Sequence, residues 1–144
     1  MIDPAGQLYV VSKTKGRGGR LARLPASAWG TGARAALDMS QAAVLQVVTS
    51  HNDPQGGDIS PDGLALALVY EEDVYYFSGV GVGGGTDYAA AVKAAPPVRM
   101  ASYVRVKSSE AIAFTPTGDG LVVLAEGLHQ TFRLYPQSDD KVVG

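Results

Sequence analysis

The sequence predicts an all-β fold built from repeated antiparallel sheets, and three observations carry that expectation. One turn signal occurs three times: "DPAG" at Asp3–Gly6, "SPDG" at Ser60–Gly63 and "TPTG" at Thr115–Gly118. The same succession of apolar strand, tight loop and strand follows each copy. Finally, 18 Gly and 8 Pro in 144 residues mark a chain rich in turns, which suits many short strands better than long helices.

Each turn has Asp, Ser or Thr first, Pro second and Gly fourth. A type I turn favours those types: a capping oxygen, a preset φ, then an unhindered exit. Pro4, Pro61 and Pro116 are 57 and 55 residues apart, the near-constant period of a repeat architecture. After the first turn come "LYVVSK", the basic loop "TKGRGG" and "RLARLP". After the second come "LALALVY", "EED" and "VYYFSG"; after the third, "LVVLAE", "GLHQ" and "TFRLYP". β-Branched and aromatic residues favour strands. These strands are apolar on both faces, so the sheets are expected to be covered on both sides. "AVLQVVTS" (Ala43–Ser50) and "VRMASYVRV" (Val98–Val106) read as the outer strand of one sheet. "GGDIS" and "EAIAFT", just before the second and third turns, read as the inner strand of the next.

The unit is therefore four antiparallel strands, A to D. Such units stacked around an axis are the blades of a β-propeller, here a single incomplete domain over 1–144 with units at about 1–50, 51–106 and 107–144. The period exceeds the ~40–45 residues of WD-type blades. The excess lies in two Ala-rich insertions between strands C and D, "ASAWGTGARAALDMSQA" and "VGVGGGTDYAAAVKAAPP". Each has room for a short helix; Thr86 and Asp87 would cap the second, and Pro96 would end it. The alternative takes the first Ala-rich stretch as one true helix and the chain as an α+β domain. Only Met1 and Ile2 precede the first turn, and closed propellers use typically 4–8 blades. The expectation is an open ring that associates with itself or with a chain supplying the missing blades. The C-terminal "DKVVG" is a strand it could lend.

With these strands in place, the sequence resembles a family of bacterial, often exported, β-propeller proteins. The resemblance rests on "DPAG-LYVVSK", "GGDISPDGLALALVYEEDVYYF" and "EAIAFTPTGDGLVVLAEG" and covers most of the chain outside the two insertions. The last stretch is similar to the Glu-containing blade repeats of phytase-like and esterase-like propellers. The resemblance implies the fold and a periplasmic or extracellular location. It does not specify an activity, because such turns occur in propellers of every function. Where family members often carry an Arg in strand B, this chain has Val69, which puts an Arg partner for Asp58 in question.

Bulk properties narrow the function classes. A net charge of −2 argues against an electrostatic grip on nucleic acid. No apolar run reaches the ~20 residues of a membrane span. The opening "MIDPAGQLYVV" lacks the basic-then-apolar pattern of a signal peptide. Cysteine is absent, which excludes disulfides and thiolate metal sites. An apolar fraction of 46% with 18% charged residues is sufficient for a packed core.

Propeller topology puts the Pro-Gly turns and the insertions on one rim. The opposite rim gathers "KTKGRGG" (Lys13–Gly19), "HNDPQ" (His51–Gln55), "EED" (Glu71–Asp73), "SSE" (Ser108–Glu110) and "EGLHQ" (Glu126–Gln130). The candidate ligand site is accordingly Asp53, Glu71, Glu72, Asp73, Glu110, Glu126 and His129. Glu110 begins a strand A and Glu126 ends a strand B on that rim, a pair suited to Ca²⁺, which wants several oxygen ligands, or to acid/base work; both can equally be solvated rim residues. Asp58 sits inside strand A and needs a partner if buried, with a backbone group or a neighbouring blade favoured over catalysis. Ile59 and Phe114 precede their turns and are expected to face a neighbouring blade. His51 and His129 come from adjacent units, a weak basis for a metal site. There is no "GxSxG" signature, and "GVGVGGGTD" (Gly79–Asp87) lacks the ending of a phosphate loop. The leading expectation is a ligand- or protein-binding propeller segment of undetermined activity. The alternatives are a Ca²⁺-dependent hydrolase of phytase-like or lactonase-like type and a structural module that completes a ring.

Overall fold

The computed structural model describes residues 1–13, 19–25, 42–45, 53–79, 88–94, 96–127, 130 and 132–136. They form three antiparallel sheets and one short helix, so the chain is all-β. Sheet 1 holds β1 (Tyr9–Ser12), β2 (Arg20–Arg23) and β3 (Ala43–Val44). Sheet 2 holds β4 (Gly56–Ile59), β5 (Ala65–Val69), β6 (Val74–Ser78) and β7 (Val98–Arg99). Sheet 3 holds β8 (Ser109–Phe114), β9 (Gly120–Ala125) and β10 (Arg133–Pro136). Strands follow one another across each sheet in chain order, as a meander. Helix α1 (Tyr88–Ala94) falls in the second Ala-rich insertion; Thr86, Asp87 and almost all of the first insertion lie outside the described residues.

The three Pro-Gly turns share one geometry. The carbonyls of Asp3, Ser60 and Thr115 accept the N–H groups of Gly6, Gly63 and Gly118 at 2.9, 2.8 and 2.9 Å. The three glycines have φ of 81, 73 and 76°, a region where a Cβ is strained. Side chains reinforce the last two turns. Asp62 accepts from the Ser60 hydroxyl and the Leu64 N–H. Asp119 accepts from the Thr115 and Thr117 hydroxyls at 2.6 Å each. The Ser60 hydroxyl chiefly holds Asp62 below the ordinary carboxylate value, and the Thr115 hydroxyl chiefly does so for Asp119. The first turn closes one residue tighter: the Asp3 N–H donates to Gln7 O, whereas the Ser60 N–H reaches Ala65 O.

Met1 and Ile2 act as a stub of inner strand. Tyr9 N–H donates to Met1 O at 2.9 Å, the Met1 ammonium donates to Tyr9 O at 3.0 Å, and Ile2 bridges Leu8.

Two apolar clusters join the sheets, and β5 divides its side chains between them. Leu66 and Leu68 enter a cluster with Tyr9 and Leu21 of sheet 1, Phe77 of β6, and Tyr88 and Val92 of α1. Ala67 and Val69 enter a second cluster with Ile112, Leu121, Val123 and Tyr135 of sheet 3. Alternate residues of a strand point to opposite faces, so sheet 2 is the middle layer, apolar on both sides as the sequence suggests. The inner strands β4 and β8 run close together. A Cβ placed on Gly56 would lie 3.0 Å from Ala111 Cα and 3.1 Å from Glu110 O. Glycine at that position allows the two backbones to approach.

One expectation needs correction. Val98–Val106 does not form one long outer strand: β7 ends at Arg99, although Met100 N–H still donates to Val74 O at 2.8 Å. Past Met100 the chain turns and crosses from the outer edge of sheet 2 toward β8, with Tyr103 and Val106 packing on the second cluster on the way. Sheet 2 has four strands among the described residues; sheets 1 and 3 show three each, sheet 1 being short of an inner strand as the sequence predicts. "DKVVG" lies outside the described residues.

Candidate functional site

The loops that follow β1, β5 and β9 share one end of the stack with the crossings that lead into β4 and β8. Ion pairs show the convergence. Lys13, just after β1, reaches Glu110 Oε2 at 3.6 Å and donates to Gln55 Oε1 at 2.8 Å, so it touches the entries of both inner strands. Arg105, on the crossing into β8, pairs with Glu71, and with Glu72 at 3.2 Å. Arg99 at the end of β7 pairs with Asp73.

A β-bulge shapes the entry to β8. Ser109 pairs with Ala125 and Ala111 with Leu124, which leaves Glu110 as the extra residue. Ser108 before it has φ 56°, uncommon for a residue with a side chain. Bulges re-aim side chains, and here Glu110 is turned to Lys13. Ser109 is buried, and its hydroxyl donates to Tyr70 O at 3.4 Å. Tyr70 itself is enclosed, and burial, with Tyr75 and Asp53 adding, pushes its phenol up. Asp53 stands at this end too, with Oδ1 shielded from solvent.

Glu71, Glu72, Asp73 and Glu110 are thus on one end, each with a basic partner. Glu110 and Glu126 are not side by side: they fall on opposite sides of the Ser109–Ala125 pair, Glu110 one residue into the sheet and Glu126 one residue beyond the end of β9. Among the described residues no group of three or more Asp, Glu, His or Cys side chains is placed to hold a metal ion. His51 and His129 lie outside the described residues. Lys13 opens the basic loop that the sequence places on this rim, whereas Arg99 and Arg105 were not singled out as site residues. The available signal was the occurrence of basic residues on the strand ends and crossings that flank "EED".

Asp58 does separate work. Its Oδ2 accepts the Phe114 N–H at 2.9 Å. Thr115 N–H points into sheet 3, toward Gly120 O, and alternate amides of a strand point to opposite edges. The Phe114 N–H is therefore on the free edge of β8, and Asp58 ties it to the preceding sheet. Ile59 is buried in the first cluster, and Phe114 is half-buried against the second with its ring 6.3 Å from that of Tyr76. Asp58→Ala is expected to lower the unfolding free energy by about 1–3 kcal/mol, the range for leaving a buried donor unmet. Asp58→Asn, which keeps a carbonyl acceptor, should lose less than half of that in urea unfolding. Equal losses would show that the bond carries little.

No helix among the described residues is long and apolar enough to cross a membrane. Compared with known protein families and with curated proteins, the chain matches no family model and no curated sequence.

Proposed function

We propose that this chain is a β-propeller segment that serves as a binding module, with the charged end of the stack as its contact surface and a protein of mixed surface charge as its partner. The observation that carries this reading is the strip of surface ion pairs, Lys13–Glu110, Arg105–Glu71/Glu72 and Arg99–Asp73 (the last with its carboxylate half-buried), which draws on all three sheets. Exposed pairs contribute little to stability, about 0–1 kcal/mol each, so a partner can exchange them at small cost. Alternating charge on a rigid scaffold gives specificity and orientation rather than bulk affinity. The resemblance to exported propellers supports the same reading and favours an extracytoplasmic partner.

The Ca²⁺-dependent hydrolase is the competing reading. It is less well supported, because Glu126 is displaced from Glu110 along the strands and, among the described residues, no third Asp, Glu or His joins them to hold a metal ion. A capture experiment separates the two. Immobilised wild-type chain should retain protein from an extract of its source organism, released by salt, and Arg105→Glu should retain at least tenfold less. Hydrolysis of p-nitrophenyl phosphate that requires Ca²⁺ and stops in both Glu110→Gln and Glu126→Gln would overturn the binding-module reading.

A further inference from the structure

Sheet 3 ends the described stack with an apolar face turned to solvent. Register puts Ala113, Val122 and Leu134 on that face, with Ala111 and Leu124 beside them. Leu124 is 45%, Leu134 57% and the neighbouring Phe132 64% exposed. The opposite face of the same sheet carries Ile112, Leu121, Val123 and Tyr135 into the second cluster. The repeat shows what the outward face is built for. Aligning Pro61 with Pro116 places Ala67 on Val122 and Val69 on Leu124, and the strand registers place Tyr76 on Leu134. In sheet 2 that face is covered by the next sheet of the stack.

The other end of the stack has the matching half. Ile2 bridges Leu8, and Val10 pairs with Ala22, all on the face of sheet 1 turned away from sheet 2. These positions correspond to Ile59, Leu66, Leu68 and Tyr75, the residues with which sheet 2 receives sheet 1. Ile2 is 53% exposed; Leu8 and Val10 are half-buried and Ala22 is buried.

The turns carry an independent sign of the same continuation. Pro4 of the first turn lies 3.2 Å from the position of a Cβ on Gly63 of the second, and Pro61 lies 3.6 Å from that position on Gly118 of the third. Each proline thus seats on the glycine of the following turn. Pro116 is exposed, and the corresponding position on Gly6 has nothing within 4 Å. Among the described residues one proline is left without a seat and one seat is left open, at opposite ends of the described stack.

We propose that the outward face of sheet 3 docks on the outward face of sheet 1 of a second copy of this chain, head to tail, with Pro116 seated on that copy's Gly6. This inference rests on the propeller reading above and deepens it. A head-to-tail contact closes into a ring when the rotation per unit permits. Two copies of the described three sheets make six, within the range of closed propellers, and both junctions then repeat the contact already seen between successive sheets. Contiguous exposed apolar surface drives association of this kind. The carboxylate tie differs: the position of Asp58 is Ala113 in sheet 3, so the new junction is apolar where that between sheets 2 and 3 has a hydrogen bond.

Complementation tests the direction of the contact. Light scattering after size exclusion should give wild-type chain at twice 14.9 kDa at micromolar concentration. Leu124→Glu spoils only the sheet 3 face and Ile2→Glu only the sheet 1 face, both at exposed positions, so each variant should keep the wild-type circular dichroism and run as a monomer. Mixed in equal amounts, they retain one intact junction and should return to twice the monomer mass. Dimeric Ile2→Glu alone would mean that two sheet 3 faces pair with each other, and would overturn the head-to-tail contact. A monomeric wild type would overturn the inference altogether, and a mass that keeps growing with concentration would overturn the two-copy ring. Arg105→Glu should retain at least tenfold less partner yet remain dimeric, so failure of the binding module and failure of the junction read out separately.

Discussion

Phe77→Ala is expected to lower the unfolding free energy by about 3–5 kcal/mol, the range for removing a fully buried aromatic side chain. Phe77 is fully enclosed in the first cluster, paired across the strands with Leu66. That cluster joins sheet 1, sheet 2 and α1, so the cavity opens where three elements meet and cannot close by the shift of one. Phe114→Ala should cost about half as much, because Phe114 is only half-buried at the edge of the second cluster. Urea denaturation of the two variants against wild type measures the difference. Equal costs would mean that the face of β6 turned to sheet 1 is not the interior of the molecule.

Gly63→Ala should destabilise by about 1–3 kcal/mol more than Gly6→Ala, the cost of overpacking a filled site. The two glycines have similar backbone angles, φ 73 and 81°, so the cost of a Cβ in the left-handed region, about 1–2 kcal/mol, is common to both. Their surroundings differ. A Cβ on Gly63 would lie 2.9 Å from the Tyr88 hydroxyl and 3.2 Å from Pro4, whereas one on Gly6 meets nothing within 4 Å. Tyr88 donates its hydroxyl to Gly63 O at 2.7 Å, and its ring stands edge-on to Tyr9 at 5.1 Å. The extra Cβ therefore disturbs the contact of α1 with both sheets. Thermal melts of the two variants isolate the packing contribution, and equal shifts would show that the turn does not touch the preceding one.

The sequence was most informative where local chemistry decides structure. Pro61 and Gly63 fix their turn through a preset φ and a left-handed residue, and Pro116 with Gly118 repeats it. The continuous apolar run of Leu66–Val69 marked a strand covered on both faces, and that is where the middle sheet lies. The strand limits depended on tertiary demands. "VRMASYVRV" has strand-forming residues throughout, yet pairing stops after Arg99 because the chain must reach the inner edge of the next sheet. The charged end was legible as a set of acidic loops, whereas its pairing was not. Arg105 is 34 residues from Glu71, and Lys13 is 97 from Glu110; no local pattern couples them. The tie from Asp58 to the Phe114 amide was invisible for the same reason, since it depends on two inner strands 56 residues apart coming together.

Hydrogen exchange followed by mass spectrometry tests the stacking of the sheets most directly. Amides whose opening requires separating two packed layers exchange slowest, because they open only near global unfolding. β5 is bonded to strands on both sides and covered on both faces. Peptides spanning 65–69 should therefore be the slowest in the chain, with β9 next and with β7 and β10 faster by at least an order of magnitude. Exchange across 65–69 as fast as across β7 or β10 would mean that sheet 2 is not the middle layer, and the stacked-sheet arrangement would fail with it.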